Sequence, residues 1–172
     1  MRRHSHRLSK DIDIFVGDPQ VLGFLSPRLN PRAEALTAQY VEQGNFLNLF
    51  FSEGEIDFVA SAPLTENPTS VEIIAGREIH VETSTEIIAK KVWHRGAAFK
   101  ARDIFDLALV MEKEPQALRQ IAPVLRERRS VVLDRVEAND AGLREAFAEL
   151  EVLEYDRSYD ECLTLIRQAF DF

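Results

Sequence analysis

The sequence lacks the features that mark secreted proteins, membrane proteins and the common classes of nucleotide-binding enzyme. Its single cysteine, Cys162, cannot form an intramolecular disulfide bond. No apolar run is long enough to cross a bilayer, and residues 1–10 have no apolar stretch of the secretory type. The chain contains no P-loop, no Rossmann glycine motif and no nucleophile elbow. We therefore expect a cytoplasmic protein without membrane contact.

Charge is distributed unevenly along the chain. The 172 residues have a net charge of −8, but residues 1–10 contain four cations and no acid, so the remaining residues have a net charge of −12. The basic segment includes Arg7 and Lys10 and ends where Asp11 and Asp13 begin. This junction is the first candidate for a functional site. The length predicts one domain, or a small domain with an appended lobe.

The pair Asp11 and Asp13 lies in a segment that predicts a β-strand. Residues 11–17 alternate acidic and apolar side chains, which places the two carboxylates on one face. They are about 6–7 Å apart along the strand and repel each other unless a cation neutralises them. Such a pair can hold Mg²⁺ ions that clamp a triphosphate. The alternative is a solvated strand end, because the motif alone is weak.

The first half of the chain is rich in predicted strands. A β-hairpin with Gly54 in its turn and two further strands around Gly76 are expected at 45–51, 56–61, 71–75 and 77–82. Between the first strand and the hairpin, Asn30-Pro31 predicts the start of a helix that ends at Gly44.

Helical periodicity begins at Thr83 and continues to the carboxyl terminus. Thr83-x-x-Glu86 is a capping box, and the helix that follows is expected to end at Gly96. Further helices are predicted from about 100 to 113 and from Pro115 onward, with interruptions near Pro123, Ser130, Asn139 and Asp156. These patterns predict an α+β fold with a sheet lobe at 1–82 and a helical lobe at 83–172 packed against it.

Asp57 is the only acid inside the otherwise apolar segment 56–61. If this strand lies beside 11–17, Asp57 brings a third carboxylate that can complete a metal shell and accept a proton from an attacking hydroxyl. The alternative is an outward-facing residue of a half-exposed strand.

A second group of charged residues lies on the first two predicted helices. Arg102 and Asp106 are four residues apart, and Asp103 lies three residues before Asp106. With Lys91 on the preceding helix, they suit a site in which lysine meets phosphate and aspartate orients it. The alternative is an intrahelical ion pair between Arg102 and Asp106.

The remaining candidates are weaker. His4, His6, His80 and His94 lack metal-ligand spacing and are expected to be solvated. Trp93 could stack on a nucleobase, but the helix that carries it favours a place in the core. Cys162 is expected to be a packing residue.

Two blocks of the sequence, HRLSKDIDIFV (6–16) and ETSTEIIAKKVWHRGAAFKARDIFDLALV (82–110), together resemble the nucleotidyltransferase toxins of the AbiEii/AbiGii abortive-infection family. This family belongs to the DNA polymerase β-like superfamily. The resemblance implies a small mixed sheet of nucleotidyltransferase type followed by an α-helical lobe. It also implies transfer of nucleotides from NTP to RNA, in characterised cases the 3′ end of tRNA, with Mg²⁺ as cofactor and a cognate antitoxin as partner.

The same resemblance implies roles for individual residues. Asp11 and Asp13, with Asp57 as third carboxylate, correspond to the metal-binding set, and the catalytic set adds Lys91 and Asp106. The nucleotide-binding residues that it implies are Arg7, Ser9, Lys91 and Arg102, and we add Lys10 because it belongs to the basic segment that could hold a triphosphate.

The sequence departs from the superfamily before Asp11. The superfamily carries a Gly-Gly or Gly-Ser element about ten residues before its first metal aspartate, where small residues let the backbone hold the triphosphate. Here the ten residues before Asp11 contain no glycine. The expectation is a family member that begins inside its active-site motif, through truncation, a misassigned start or decay. A catalytically inactive member that binds a partner such as an antitoxin is therefore the alternative to an active enzyme.

Overall fold

The computed structural model describes residues 4–172 as a mixed α+β protein, which confirms the predicted fold class. Arg2 and Arg3 of the basic segment lie outside the described residues. The strands are β1 (Ile12–Val16), β2 (Tyr40–Gln43), β3 (Phe46–Phe50), β4 (Glu55–Ala60), β5 (Thr69–Ile74) and β6 (Arg77–Glu82). The helices are α1 (Gln20–Leu25), α2 (Pro31–Glu34), α3 (Ser84–Arg95), α4 (Ala101–Lys113), α5 (Pro115–Gln120), α6 (Ala122–Ala138), α7 (Asp140–Ala148) and α8 (Tyr159–Ala169).

The chain divides into two compact units. The smaller unit is Ser9–Ala62, and the larger unit is Pro63–Phe172 together with the amino-terminal segment through Leu8. The hairpin of β5 and β6 therefore lies in the same unit as helices α3 to α8, whereas the sequence placed the boundary at 82/83. No helix among the described residues combines the length and hydrophobicity needed to cross a membrane.

The smaller unit is built on a four-stranded mixed sheet with the order β1-β4-β3-β2. β1 and β4 are parallel, and the other two pairs are antiparallel. One face of the sheet forms the core of this unit, where Leu47 and Leu49 of β3 are buried with Leu22 of α1. Because successive side chains of a strand alternate between faces, the opposite face carries the acidic residues of β1 and β4.

The predicted helix from Asn30 to Gly44 is wrong beyond its first turn. Asn30 does cap α2, since its side chain accepts a hydrogen bond from the backbone N–H of Arg32 at 3.0 Å. The helix ends at Glu34, and 40–43 form β2, which a two-residue turn joins to β3. Aromatic and β-branched residues such as those that begin β2 favour a pleated, half-buried sheet, and pairing with β3 outweighs the helical spacing of the apolar residues.

The larger unit is organised around α4, most of which is buried. Phe105 lies at its centre and makes edge-on contacts with the rings of Phe147 and Tyr155, at 5.5 and 5.2 Å between centroids. The predicted interruption near Ser130 is wrong, because α6 continues through it. Ser130 is exposed, so its hydroxyl faces solvent within the helix.

The start of α3 follows the sequence prediction only in part. Thr83 caps the helix, and its side chain accepts a hydrogen bond from the backbone N–H of Glu86 at 3.2 Å. The Glu86 carboxylate is fully buried and accepts hydrogen bonds from the backbone N–H groups of Leu64 and Thr65, at 3.0 and 2.9 Å. Glu86 therefore connects the loop before β5 to α3, a role that the capping-box prediction did not include.

The amino-terminal segment of the larger unit is held by main-chain pairing. Leu8 N–H donates to the carbonyl of Glu151 at 2.9 Å, and Leu153 N–H donates to the carbonyl of His6 at 2.9 Å. Arg7 pairs with Val152 in an antiparallel bridge. The backbone of His6 and Arg7 is therefore fixed against the segment between α7 and α8.

Gly54 generates the first prediction, because it makes a close approach to the backbone just before β1. A Cβ added at Gly54 would lie 2.3 Å from the carbonyl oxygen of Lys10. We expect Gly54→Ala to lower the free energy of unfolding by about 1–3 kcal/mol, as overpacking does elsewhere. Gly17→Ala is the matched control, since no atom lies within 4 Å of its added Cβ. Urea denaturation of both variants tests this, and equal stabilities would contradict the assigned contact.

Candidate active site

Two of the predicted metal ligands lie side by side on the sheet of the smaller unit, and the third lies just before β1. In the parallel pairing of β1 with β4, Asp13 lies directly opposite Asp57. Asp11 precedes β1 and has the same parity as Asp13. The role expected for Asp57 from the sequence requires that its strand lie beside the first strand. The pairing of β1 with β4 meets this condition.

Two further polar residues share this face and were not identified from the sequence. Asn48 of β3 lies opposite Asp57, and its Nδ2 donates a hydrogen bond to Glu55 Oε2 at 3.0 Å. Glu55 lies two residues before Asp57 and therefore has the same parity. The hairpin register could have revealed both, because a turn centred on 51–54 pairs residue 50 with 55 and residue 48 with 57.

The acidic face consists of Asp13 of β1 and of Glu55 and Asp57 of β4, on two adjacent strands about 4.8 Å apart, together with Asp11, which lies one residue before β1. In the part of the chain that is described, no three side chains of His, Cys, Asp or Glu form a group that could hold a metal ion. The donor chemistry is nevertheless that of a hard cation site, because every candidate ligand is a carboxylate oxygen.

In the larger unit, the Asp106 cluster (His6, Arg7, Lys91, Asp103 and Asp106) forms a buried network of charges. The Asp106 carboxylate is fully buried. Its Oδ1 accepts hydrogen bonds from His6 Nε2 at 2.6 Å and Arg7 Nε at 2.8 Å, and its Oδ2 accepts from Arg7 Nη2 at 2.9 Å. Lys91 Nζ also donates to Oδ2. A fully desolvated carboxylate is stable only with such compensation, and removal of one partner of a buried pair costs about 3–5 kcal/mol.

Asp103 forms the second acidic centre of the cluster. It lies 3.0 Å from Lys91 Nζ and 3.4 Å from Arg95 Nη1, and it accepts a hydrogen bond from the backbone N–H of Lys100 at 3.1 Å. Lys91 therefore bridges both aspartates of α4. With His6 neutral, the two cations Arg7 and Lys91 match the two carboxylates of the cluster in number, and Arg95, whose side chain is 38% exposed, is a further contact of Asp103.

The protonation states follow from these contacts. Burial alone would raise the pKa of Asp106, but Lys91, His6 and Arg7 together hold it well below its usual value. Burial lowers the pKa of His6 below 6.5, although its hydrogen bond to Asp106 opposes this shift. Because a carboxylate can only accept, His6 carries its proton on Nε2, and Nδ1 is buried without a hydrogen-bond partner among residues 4–172.

The expectation that the amino-terminal histidines are solvated is wrong. His6 is fully buried, with its ring stacked on Phe105 at 5.8 Å between centroids. His4 Nε2 lies 2.5 Å from Glu114 Oε1. A histidine near a chain end gives no sequence signal of burial. The adjacent Arg7 and the buried acid that both residues contact could be recognised only after folding.

Three further predicted site residues are Ser9, Lys10 and Arg102. Ser9 and Lys10 are exposed in the smaller unit, where Lys10 lines an open cavity of about 210 Å³ together with Ile12 and Ile56. Arg102 is partly exposed at the start of α4. Cys162 is buried, as its interpretation as a packing residue predicted, and burial raises the pKa of its thiol to about 12.

The buried His6 generates the second prediction, a fall in stability at mildly acidic pH. Its pKa is lowered in the folded state, so the unfolded chain binds a proton first as the pH falls below 6.5. The contribution of neutral, buried His6 to the free energy of unfolding is therefore fully present above pH 6.5 and is lost progressively below it. Urea denaturation at pH 7.5 and 5.5 should show a larger loss for the wild type than for His6→Gln. The exposed His80→Gln should behave like the wild type, and an equal loss in all three proteins would contradict the prediction.

Comparisons with known proteins identify the family to which this arrangement belongs. The model of the family described as "Nucleotidyl transferase AbiEii toxin, Type IV TA system" matches residues 1–171. A search of curated proteins found no match. Two solved structures are similar over 96% of this chain, each with 15% identity and a TM-score of 0.49. They are a candidate nucleotidyltransferase from H. pylori, of which 79% is covered, and JHP933 from Helicobacter pylori, of which 77% is covered. Because the family model spans almost every residue, the chain belongs to the AbiEii nucleotidyl transferase toxin family.

Proposed function

We propose that this protein transfers a nucleoside monophosphate from an NTP to a hydroxyl group of an RNA acceptor, with tRNA as the first candidate. The observation that carries the proposal is the register of β1 against β4, which sets Asp13 beside Asp57, with Asp11 one residue before β1. Family membership supplies the reaction class. The reaction is assigned to the cytoplasm, where NTP and tRNA are available, with an antitoxin as its regulator.

The acidic face fits Mg²⁺ as cofactor. Mg²⁺ prefers oxygen ligands and is held in proteins by one or two carboxylates together with substrate phosphates. Asp11, Asp13 and Asp57 are the residues that we assign to this role. When bound, Mg²⁺ neutralises phosphate charge and makes the acceptor hydroxyl a better nucleophile.

The proposed reaction is an in-line displacement at the α-phosphorus of the NTP. The RNA hydroxyl oxygen forms a bond to this phosphorus, the bond from phosphorus to the bridging oxygen breaks, and pyrophosphate leaves. We assign the acceptance of the hydroxyl proton to Asp57, because it lies in the middle of the acidic face with a carboxylate on one neighbouring strand and an amide on the other.

Lys91 is the residue that we assign to the phosphate chain of the NTP. Its ammonium group donates a hydrogen bond to Asp106 and forms an ion pair with Asp103 at 3.0 Å. Its side chain remains 14% exposed. Asp106 and Arg7 act in this proposal as positioning residues, because they contact Lys91 or its partner and are themselves almost fully buried. Ser9 and Arg102 are proposed as nucleotide contacts on the family resemblance alone, and Lys10 is proposed for its positive charge beside Asp11.

Label transfer provides the third prediction. We expect the full chain, incubated with tRNA, Mg²⁺ and each α-labelled NTP in turn, to incorporate label from at least one NTP. Asp13→Asn should reduce this incorporation at least about 100-fold, because it removes a negatively charged ligand from the metal-binding set.

Glu34→Gln is the matched control, since Glu34 is an exposed acid on α2 of the same unit. It should retain wild-type incorporation. Absence of incorporation with every NTP would contradict turnover and favour a family member that acts by binding a partner such as an antitoxin. Incorporation that Asp13→Asn leaves unchanged would contradict the assigned site.

A further inference from the structure

A pair of arginines on α6 forms a basic surface separate from the site described above. Arg128 and Arg135 are seven residues apart, so they lie on the same side of the helix, about 10.5 Å apart along its axis. Val131 lies between them, and its Cγ1 is 3.4 Å from the position that a Cβ on Gly96 would occupy. This side of α6 therefore packs against the carboxyl-terminal end of α3.

The two guanidinium groups have no acidic partner among the residues that the structure describes. Within residues 4–172, neither Arg128 nor Arg135 forms an ion pair, and the Nε atom of each is buried without a hydrogen bond. The α6 positions three or four residues from either arginine hold no acid. The three acids of α6 project at least about 80° away around the helix; they are Glu127, Asp134 and Glu137. Because arginine stays protonated, two positive charges remain uncompensated in a chain with a net charge of −8.

An aromatic ring fixes one of these guanidinium groups. The Cζ atom of Arg128 lies 4.2 Å from the centroid of the Trp93 ring, a cation–π contact. Trp93 is partly exposed on α3. It projects about 160–200° away from Arg95 and Lys91, so this surface is on the other flank of α3 from the Asp106 cluster.

We propose that Trp93, Arg128 and Arg135 form a docking surface for the phosphate backbone of the RNA acceptor. The fork of a guanidinium group matches phosphate oxygens, and an indole ring offers a face on which a base can stack. The choice of RNA as the polyanion rests on the proposed nucleotidyl transfer. The inference that a basic docking surface exists depends only on the unpaired arginines and their packing.

Fluorescence anisotropy with labelled tRNA and the full chain, without NTP or Mg²⁺, provides the fourth prediction. Arg128→Gln and Arg135→Gln should each make the fall of log affinity with log salt concentration less steep, by about 1 in slope. Each should also weaken binding at low salt about fivefold or more. Arg126→Gln is the matched control. It removes an exposed arginine from the same helix, about 160–180° around from the pair, and should leave the slope unchanged.

Separate outcomes distinguish this surface from the proposed reaction. Asp13→Asn should bind tRNA with wild-type affinity even where it loses label transfer. Equal affinity in the wild type, Arg128→Gln and Arg135→Gln would overturn the docking surface while leaving the reaction intact. Displacement of tRNA from the wild type by polyglutamate as readily as by unlabelled tRNA would identify an acidic protein segment as the occupant and overturn the assignment to RNA. Circular dichroism establishes that each variant is folded, and the two arginines provide independent tests.

Discussion

The larger unit depends on the burial of one carboxylate. Asp106 sits in the middle of the most buried helix, and only donors from other segments can compensate its charge. Those donors come from α3 and from the amino-terminal segment, which main-chain pairing ties to the segment before α8. One buried charge therefore fixes three distant parts of the sequence in a single arrangement. Exposed ion pairs of the same unit contribute much less, typically 0–1 kcal/mol each.

The distribution of charge is what the proposed reaction of an acidic chain with polyanions requires. Negative charge is concentrated on one face of a small sheet, where a divalent cation would cancel part of it. Positive charge lies around Lys91 and on α6, where two arginines have no acidic partner within residues 4–172. Net charge is a poor guide to the proposed function, because in that proposal local groups of opposite sign contact different parts of the substrate.

The sequence was sufficient for the elements whose signals are local. The alternating residues of β1, the hairpin around Gly54 and the cap at Thr83 were predicted because turn chemistry and capping act over a few residues. The strand β2 was missed because its apolar residues also fit a helical spacing, and only pairing with β3 decided between the two.

In the candidate site, too, the residues with local sequence signals could be predicted and those that depend on distant contacts could not. The acids at 11, 13 and 57 could be named from residue type and strand parity, and the place of Asp57 followed once the strands were paired. His6 could not be found in this way, because its burial depends on a contact with a residue 100 positions away. The position of Asn48 could have been predicted from the sequence, because the register of the hairpin places it opposite Asp57.

Metal binding by the acidic face is the central claim, and electron paramagnetic resonance of Mn²⁺ titrated into the full chain tests it most directly. The wild type should bind Mn²⁺, and Asp13→Asn and Asp57→Asn should each weaken binding at least about tenfold, as loss of support for a metal site does. Glu34→Gln should bind as the wild type does. Equal Mn²⁺ affinity in the wild type and both aspartate variants would contradict the claim that these carboxylates hold the metal.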